Sequence, residues 1–290
     1  MRAVFQWSLG KRSLELGKRS LIMGIINVTP DSFSDGGLHF EPKEAIAHGI
    51  QLLDQGADIL DIGGESTRPG AKVAAVSAEE ELQRVVPVIE GLRKARPDAV
   101  ISIDTYKSNV ARAAVGAGAE IVNDVSGFRW DPQMSRTVAD LKCGVILMHM
   151  RGRPEDWRTL PPPGDIVLQV KRELREWVEA AVVVGVRREK IAVDPGFGFG
   201  KNFEQNYPLL ARFQELQSLG FPLVVGTSRK SFIGRMLAKD GKDAPVTERL
   251  YANLAVHTAL ILKGAHILRT HDVKEASEAA RATDVILASH

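Results

Sequence analysis

A single cysteine among 290 residues excludes an intrachain disulfide, so no covalent staple holds this chain. That residue, Cys143, stands in "LKCGVILM" on the approach to an apolar run and reads as a small core side chain. No uninterrupted apolar span is long enough to cross a bilayer. The N-terminal "MRAVFQWSLGKRSLELG" lacks a signal-peptide core, so a cytoplasmic protein without a membrane partner is expected. An excess of one charge is missing too. Lys+Arg 38 against Asp+Glu 36 leaves a net +2, which gives no overall field to attract nucleic acid. The basic pairs Lys11-Arg12, Lys18-Arg19 and Arg187-Arg188 are well separated and read as solvated faces. The 7 histidines show neither HExxH nor clustered ligand spacing, which argues against a metal caged by protein alone.

No Gly/Ser- or Pro-rich linker divides the chain. Short β-branched-rich runs alternate instead with longer amphipathic segments. Strands are predicted at Leu21–Asn27, Ile59–Ile62, Ile101–Asp104, Ile121–Asn123, Val145–Met148, Ile191–Asp194, Leu223–Gly226 and His266–Arg269. Ser77-Ala78-Glu79-Glu80 opens a helix with Leu82, Val85, Val86, Ile89 and Leu92 on one face, where Pro87 should introduce a bend. Asn202-x-x-Gln205 starts another, with Leu209, Leu210, Phe213 and Leu216 apolar. Further helices are predicted over Ala45–Gln55, Asn109–Gly116, Ile166–Val184, Thr247–Leu262 and Lys274–Ala288. This alternation predicts a single-domain α/β fold, a (β/α)8 TIM barrel over residues 21–290, with an open doubly wound sheet as the alternative. Residues 1–20 precede it and read as a hairpin candidate for closing the barrel bottom.

Chemistry in such barrels gathers at the C-terminal strand ends. Those positions hold Asn27, Asp61, Asp104, Asn123, Met148, Asp194, Lys230 just past strand seven, and Arg269 with His271. One strand-end Asp or Asn is commonly a helix cap, but so many costly polar groups at one mouth point to a shared site. Arg269 and His271 have period-two spacing, and with Lys230 they form a basic side suited to phosphate. Salt bridges at helix ends are an equally good account of Arg229 and Arg235. Asp61, Asp104, Asn123 and Asp194 form the opposite side, matched to a planar ligand rich in N–H donors. A phosphorylated nitrogen heterocycle fits both sides, although these residues do not choose which one.

Two features are set aside. "DPGFGFGKN" (194–202) follows a strand but fits neither GxGxxG nor Walker A, and reads as a loop where a flat ligand approaches glycine backbone, with Phe199 available to stack. His149 in "LMHM" reads as a satisfied strand-end histidine.

The motifs "MGIINVTPDSFSDGG" (23–37), "DIGGESTRPG" (61–70), "SIDTYK" (102–107), "IVNDVSG" (121–127), "DPGFGFGKN", "GTSRKSFIG" (226–234) and "ILRTHDV" (267–273) resemble the dihydropteroate synthases, in the family's order and over nearly the whole barrel. The resemblance implies condensation of 6-hydroxymethyl-7,8-dihydropterin diphosphate with p-aminobenzoate, Mg²⁺ dependence, sulfonamide inhibition and a homodimer. It assigns Asp104, Asn123, Met148, Asp194, Gly198, Phe199 and Lys230 to the pterin. Asn27, Arg68, Arg269 and His271 fall on the diphosphate side, Asn27 with the metal. Phe33, Thr67, Arg68, Pro69, Lys230 and Ser231 fall on the p-aminobenzoate side. After "MHMRGRP" the family often continues with a short Met-Gln segment, whereas this chain has "EDWRTLPPPGD", which holds none of these residues.

The reaction so implied is an SN1-like substitution, with Asp104, Asp194, Lys230, Arg269 and His271 as the catalytic set. The loop "NVTPDSFSDGG" is expected to act as a lid, Phe33 covering the aromatic second substrate. Competing readings are a pterin-dependent methyltransferase, an inactive pterin-binding homologue, and a Schiff-base aldolase using Lys230. The aldolase is disfavoured because Lys230 lies in a polar stretch beside Arg229 rather than in a clearly desolvated pocket.

Overall fold

The computed structural model describes residues 2–29, 42–65, 76–157 and 159–289. In chain order the elements begin with strands β1 (Phe5–Ser8), β2 (Ser13–Leu16) and β3 (Leu21–Asn27), then helix α1 (Pro42–Asp54). Four strand–helix units follow: β4 (Ile59–Gly63) with α2 (Ala78–Ala95), β5 (Val100–Asp104) with α3 (Ser108–Ala117), β6 (Ile121–Asp124) with α4 (Met134–Leu141), and β7 (Gly144–Met148) with α5 (Ile166–Val184). The chain then runs through β8 (Ile191–Asp194), α6 (Phe203–Ala211), β9 (Val224–Val225), α7 (Ser231–Met236), α8 (Leu250–Leu262), β10 (Ile267–Thr270) and α9 (Val273–Ala288).

The 8-stranded parallel sheet has the order β8-β7-β6-β5-β4-β3-β10-β9. A parallel bridge between Val193 and Leu223 joins its two edges, so the sheet closes into a barrel and the open-sheet alternative is excluded. Buried on both faces, these strands carry continuous Val/Ile/Leu runs rather than alternation.

The core has two principal layers. Between strands and helices lie side chains such as Ile26, Leu60, Ile89, Val122, Leu174 and Leu268, and Cys143 is among them. Inside the barrel bottom, Trp7, Leu9 and Leu16 pack on Leu21, Met23, Ile59, Val100, Ile121, Ile146, Ala192, Val224 and Ile267. The first of these come from the antiparallel β1–β2 hairpin, which plugs the barrel from below. Trp7 also donates from Nε1 to the Lys190 carbonyl at 2.8 Å, so the plug is both apolar and hydrogen-bonded.

Local sequence rules explain most ends. Ser77 Oγ accepts from Glu80 N at 3.1 Å, and Asn202 with Gln205 makes a complete capping box. α2 runs unbroken through Pro87. The predicted helix from Asn202 splits, however. α6 stops at Ala211 and Phe213–Leu219 forms a 3-10 helix, so the apolar spacing is shared by two short elements. Strand seven shrinks to Val224–Val225, and α8 begins at Leu250 after a 3-10 turn at Val246–Glu248. α4 and α7, of 8 and 6 residues, are too short for a full periodic signature. Among the described residues, no helix is long and apolar enough to cross a membrane.

Candidate active site

Strand register sets the mouth of the barrel. Asn27 pairs with Gly63, Gly63 with Asp104, and Asp104 with Asn123, which places these residues at one level around the rim. Met148 is likewise level with Asp194. Arg269 comes from β10 and His271 follows that strand's end.

These residues surround a cavity of about 280 Å³ lined by Asn27, Asp104, Gly198, Phe199, Lys230, Ser231, Arg269 and His271, among others. Asn123, Met148 and Asp194, assigned to the pterin from sequence, are buried and are not among its lining residues. Asn123 donates to Asp61 Oδ2 at 3.0 Å, Met148 packs with Val125, Met150 and Phe199, and Asp194 accepts from Gly196 N at 2.7 Å. Phe33, Thr67, Arg68 and Pro69 lie outside the described residues, as does most of the predicted lid.

The separation of charges expected from sequence is only partial. Arg269 does not stand apart with the cations. It donates from Nε to Asp61 Oδ2 at 2.6 Å and from Nη2 to Asp104 Oδ2 at 2.5 Å. The barrel mouth is narrow enough for a guanidinium on β10 to reach carboxylates on β4 and β5. Asp61 is also inside its strand rather than at the end, which is Gly63. His271 stays on the other side, with Nε2 3.4 Å from Asn27 Nδ2 and Nδ1 3.0 Å from Ser228 Oγ. Arg229 and Arg235 do pair with carboxylates, Asp272 at 2.8 Å and Asp243 at 2.9 Å.

Burial tunes the titrating groups. It pushes the Asp104 carboxyl up to about 7, against the opposing pull of Arg269, with Asp61, Glu81 and Asp124 adding to the rise. The Asp194 carboxyl is raised to about 6 for the same leading reason, opposed by its Gly196 hydrogen bond and by Lys230 and Arg269. Burial lowers the Lys230 amine to about 7, and the nearby Arg269 charge lowers it further. Its Nζ lies 3.6 Å from the centroid of Phe199. Lys230 is half-buried, with its amine turned over Phe199, so it is less exposed than the polar stretch around it suggests. The strand-seven loop folds its side chain inward over the glycine loop, and local composition does not report that.

The glycine loop is built for close approach. Gly196, Gly198 and Gly200 all have positive φ, and a Cβ on Gly198 would stand 3.4 Å from Lys230 Cδ. Lys201, although it follows this loop, is not free for phosphate. Its buried amine donates to the carbonyls of His149, Gly196 and Phe199 at 3.3, 2.8 and 3.2 Å. His149 is fully buried, bound through Nε2 to Glu173 Oε2 at 2.9 Å and stacked on Trp177. Burial lowers its ring to about 4, and its Nδ1 has no hydrogen-bond partner among the described residues.

Glu65, Ser228 and Arg249 also line the cavity, without having been assigned to it from sequence. The first two stand inside quoted motifs. Arg249 had no local signal, because it arrives from the segment before α8.

The model of the pterin binding enzyme family matches residues 23–271. The dihydropteroate synthase of Escherichia coli K12 is 44% identical over 268 residues, 92% of this chain and 92% of that protein. The structure of Xanthomonas albilineans dihydropteroate synthase with 4-aminobenzoic acid superposes with TM-score 0.89 at 42% identity, covering 99% of both chains. The same organism's enzyme in complex with 7,8-dihydropteroate gives TM-score 0.82 at 42% identity, covering 93% of this chain and 94% of that one.

Proposed function

The chain belongs to the pterin-binding enzyme family, and from that premise we propose that it is a dihydropteroate synthase acting in folate biosynthesis. It joins 6-hydroxymethyl-7,8-dihydropterin diphosphate to p-aminobenzoate and releases diphosphate. The observation that carries this reading is the mouth itself. The carboxylate of Asp104, level with the amide of Asn123, meets the guanidinium of Arg269 at a cavity that the amine of Lys230 and the imidazole of His271 also line.

Asp194, Asp104 and Asn123 are suited to accept and return the hydrogen bonds of the pterin ring, with Met148, Phe199 and Gly198 against its faces. Loss of diphosphate from the exocyclic carbon leaves a cation delocalised into the electron-rich ring. Ionised Asp104 and Asp194 stabilise that cation in a water-poor setting. Arg269, Asn27 and His271 face the departing diphosphate, and Arg68 joins them on sequence grounds. The aniline nitrogen of p-aminobenzoate then forms the new C–N bond and loses a proton. Lys230 and Ser231, with Phe33, Thr67, Arg68 and Pro69 from the two loops, make up the p-aminobenzoate side.

The proposed Mg²⁺ fits one donor here. With Asn27 Nδ2 turned toward His271, the amide Oδ1 remains as a hard oxygen ligand. No group of three His, Cys, Asp or Glu side chains converges among the described residues. Most ligands would then come from diphosphate and water, as suits Mg²⁺. When bound, the ion would neutralise charge on the leaving group.

A cytoplasmic homodimer is part of the same proposal. Its support is apolar surface on the outer helices, Tyr251 and Leu262 on α8 and Val285 and Ile286 on α9 being 83, 52, 68 and 59% exposed. Light scattering at micromolar concentration checks it.

The Lys230 amine, lowered to about 7 by burial and by Arg269, favours one second reading, a Schiff-base aldolase. Borohydride with a carbonyl substrate would trap Lys230 in that case, and no adduct is expected. Formation of dihydropteroate from both substrates with Mg²⁺, inhibited by a sulfonamide competing with p-aminobenzoate, tests the proposed function. Methyl transfer from methyltetrahydrofolate instead would point to the methyltransferase, and pterin binding without turnover to an inactive homologue.

A further inference from the structure

Trp157 stands in "EDWRTLPPPGD", where the chain departs from the family's short Met-Gln segment, and the reaction as described gives it no part. Its ring lies against Phe199, with the centroids 6.0 Å apart and the planes at 87°. Phe199 in turn lines the active cavity and carries the Lys230 amine over its face. Both aromatics belong to one apolar cluster with Val125, Met148 and Met150. A side chain from the segment between β7 and α5 thus reaches, through Phe199, the wall assigned to the pterin.

The backbone under Phe199 is held without Trp157. A Cβ on Gly196 would collide with the His149 carbonyl, and one on Gly200 with the Arg151 carbonyl, so the glycine loop sits directly on the chain leaving β7. The Lys201 amine ties the carbonyls of His149, Gly196 and Phe199 together, three acceptors for the three N–H of an ammonium. Arg151 donates from Nη2 to the Pro161 carbonyl at 2.6 Å and from Nη1 to the Gly200 carbonyl at 3.4 Å, joining the Trp157 segment to the same loop. Trp157 is presented by a tight turn, in which Asp156 N donates to the Arg153 carbonyl at 2.9 Å and Leu160 N to the Asp156 carbonyl at 3.1 Å. What these main-chain contacts leave open is the tilt of the Phe199 ring, because the last torsion of a phenylalanine is broad. An edge-to-face neighbour supplies that restraint.

We propose that Trp157 is a positioning residue, which sets the plane of the Phe199 ring and so presents a fixed flat wall to the pterin. It acts on pterin affinity and not on the p-aminobenzoate side, and it rests on the assignment of Phe199 to the pterin.

Trp157→Leu, which keeps apolar bulk without a ring, and Trp157→Phe test it. Trp157→Leu should raise the calorimetric Kd for pterin diphosphate by about five- to tenfold, the scale of one aromatic pair. The KM for p-aminobenzoate, measured with pterin diphosphate saturating, should stay near the wild-type value, and Trp157→Phe should recover most of the lost affinity. An unchanged Kd, an equal loss for both substrates, or the same loss in Trp157→Phe would overturn the proposal. Should Trp157→Leu fail to fold, wild-type protein labelled with fluorotryptophan carries the test without turnover. The ¹⁹F resonance of Trp157, identified by its loss in Trp157→Phe, should shift when pterin diphosphate is added, and a resonance indifferent to the pterin would overturn the inference. Wild-type protein that binds no pterin diphosphate would instead overturn the function on which the inference rests.

Discussion

Arg269 Nη2 donates to Asp104 Oδ2 at 2.5 Å, across the mouth of the barrel and between two strands that are not neighbours in the sheet. This contact places the strongest cation of the site against a carboxylate that burial would otherwise keep protonated. Arg269 thus opposes the rise that burial imposes on Asp104 and favours the ionised carboxylate, the form the proposed reaction uses.

Arg269→Ala should therefore reduce kcat by about a hundredfold or more, the usual loss for a transition-state donor. Steady-state kinetics checks it, with the melting temperature as control. The carboxyl of Asp104 should also titrate higher in the variant, since the charge opposing burial is gone. Unchanged turnover would contradict the assignment.

Asp194→Asn should weaken pterin binding in calorimetry while stabilising the protein above neutrality. The sign follows from linkage. A carboxyl raised in the folded state contributes stability that is complete below its unfolded value near 4 and is lost as pH rises through about 6. The variant lacks that loss. Its advantage should be absent near pH 3, about half developed at pH 5 and on the order of 3 kcal/mol at pH 8, read from chemical denaturation at the three pH values.

His257→Leu should resist acid better than the wild type. Both ring nitrogens of His257 are buried without a hydrogen-bond partner among the described residues, and burial lowers the ring to about 4. A histidine lowered in this way gives stability above its unfolded value near 6.5, which is lost as pH falls through about 4. The acid midpoint followed by circular dichroism should move to lower pH. At pH 7 the gain should be about 1 kcal/mol, from removing unpaired nitrogens.

Phe33→Leu should change p-aminobenzoate or sulfonamide affinity more than pterin affinity. Competition binding compares the two. An equal change in both would remove Phe33 from the arylamine side.

The barrel was legible in sequence because each strand is a short apolar run and the longer segments between them are helical in pattern, with side-chain caps at the starts of α2, α5 and α6. What failed was length and composition. α4 and α7 are too short to show a period, and the spacing from Leu209 to Leu216 spans a helix and a separate 3-10 turn. The site residues were legible as strand ends, but their pairings were not. That Arg269 meets Asp61 and Asp104 depends on barrel closure, which brings residues 208 and 165 positions apart into contact. The placement of the Lys230 amine over Phe199 was hidden in the same way, since "TSRKS" reads as polar whichever way its lysine folds.

The central claim is that this mouth breaks the carbon–oxygen bond by charge alone, before the amine attacks. Pterin diphosphate labelled with ¹⁸O at the bridging oxygen, incubated with enzyme and Mg²⁺ but no p-aminobenzoate, tests it most directly. The account predicts that label moves from the bridge to non-bridging oxygens of the adjacent phosphate, and does so far more slowly in Arg269→Ala. Label that stays in the bridge until p-aminobenzoate is added would contradict it.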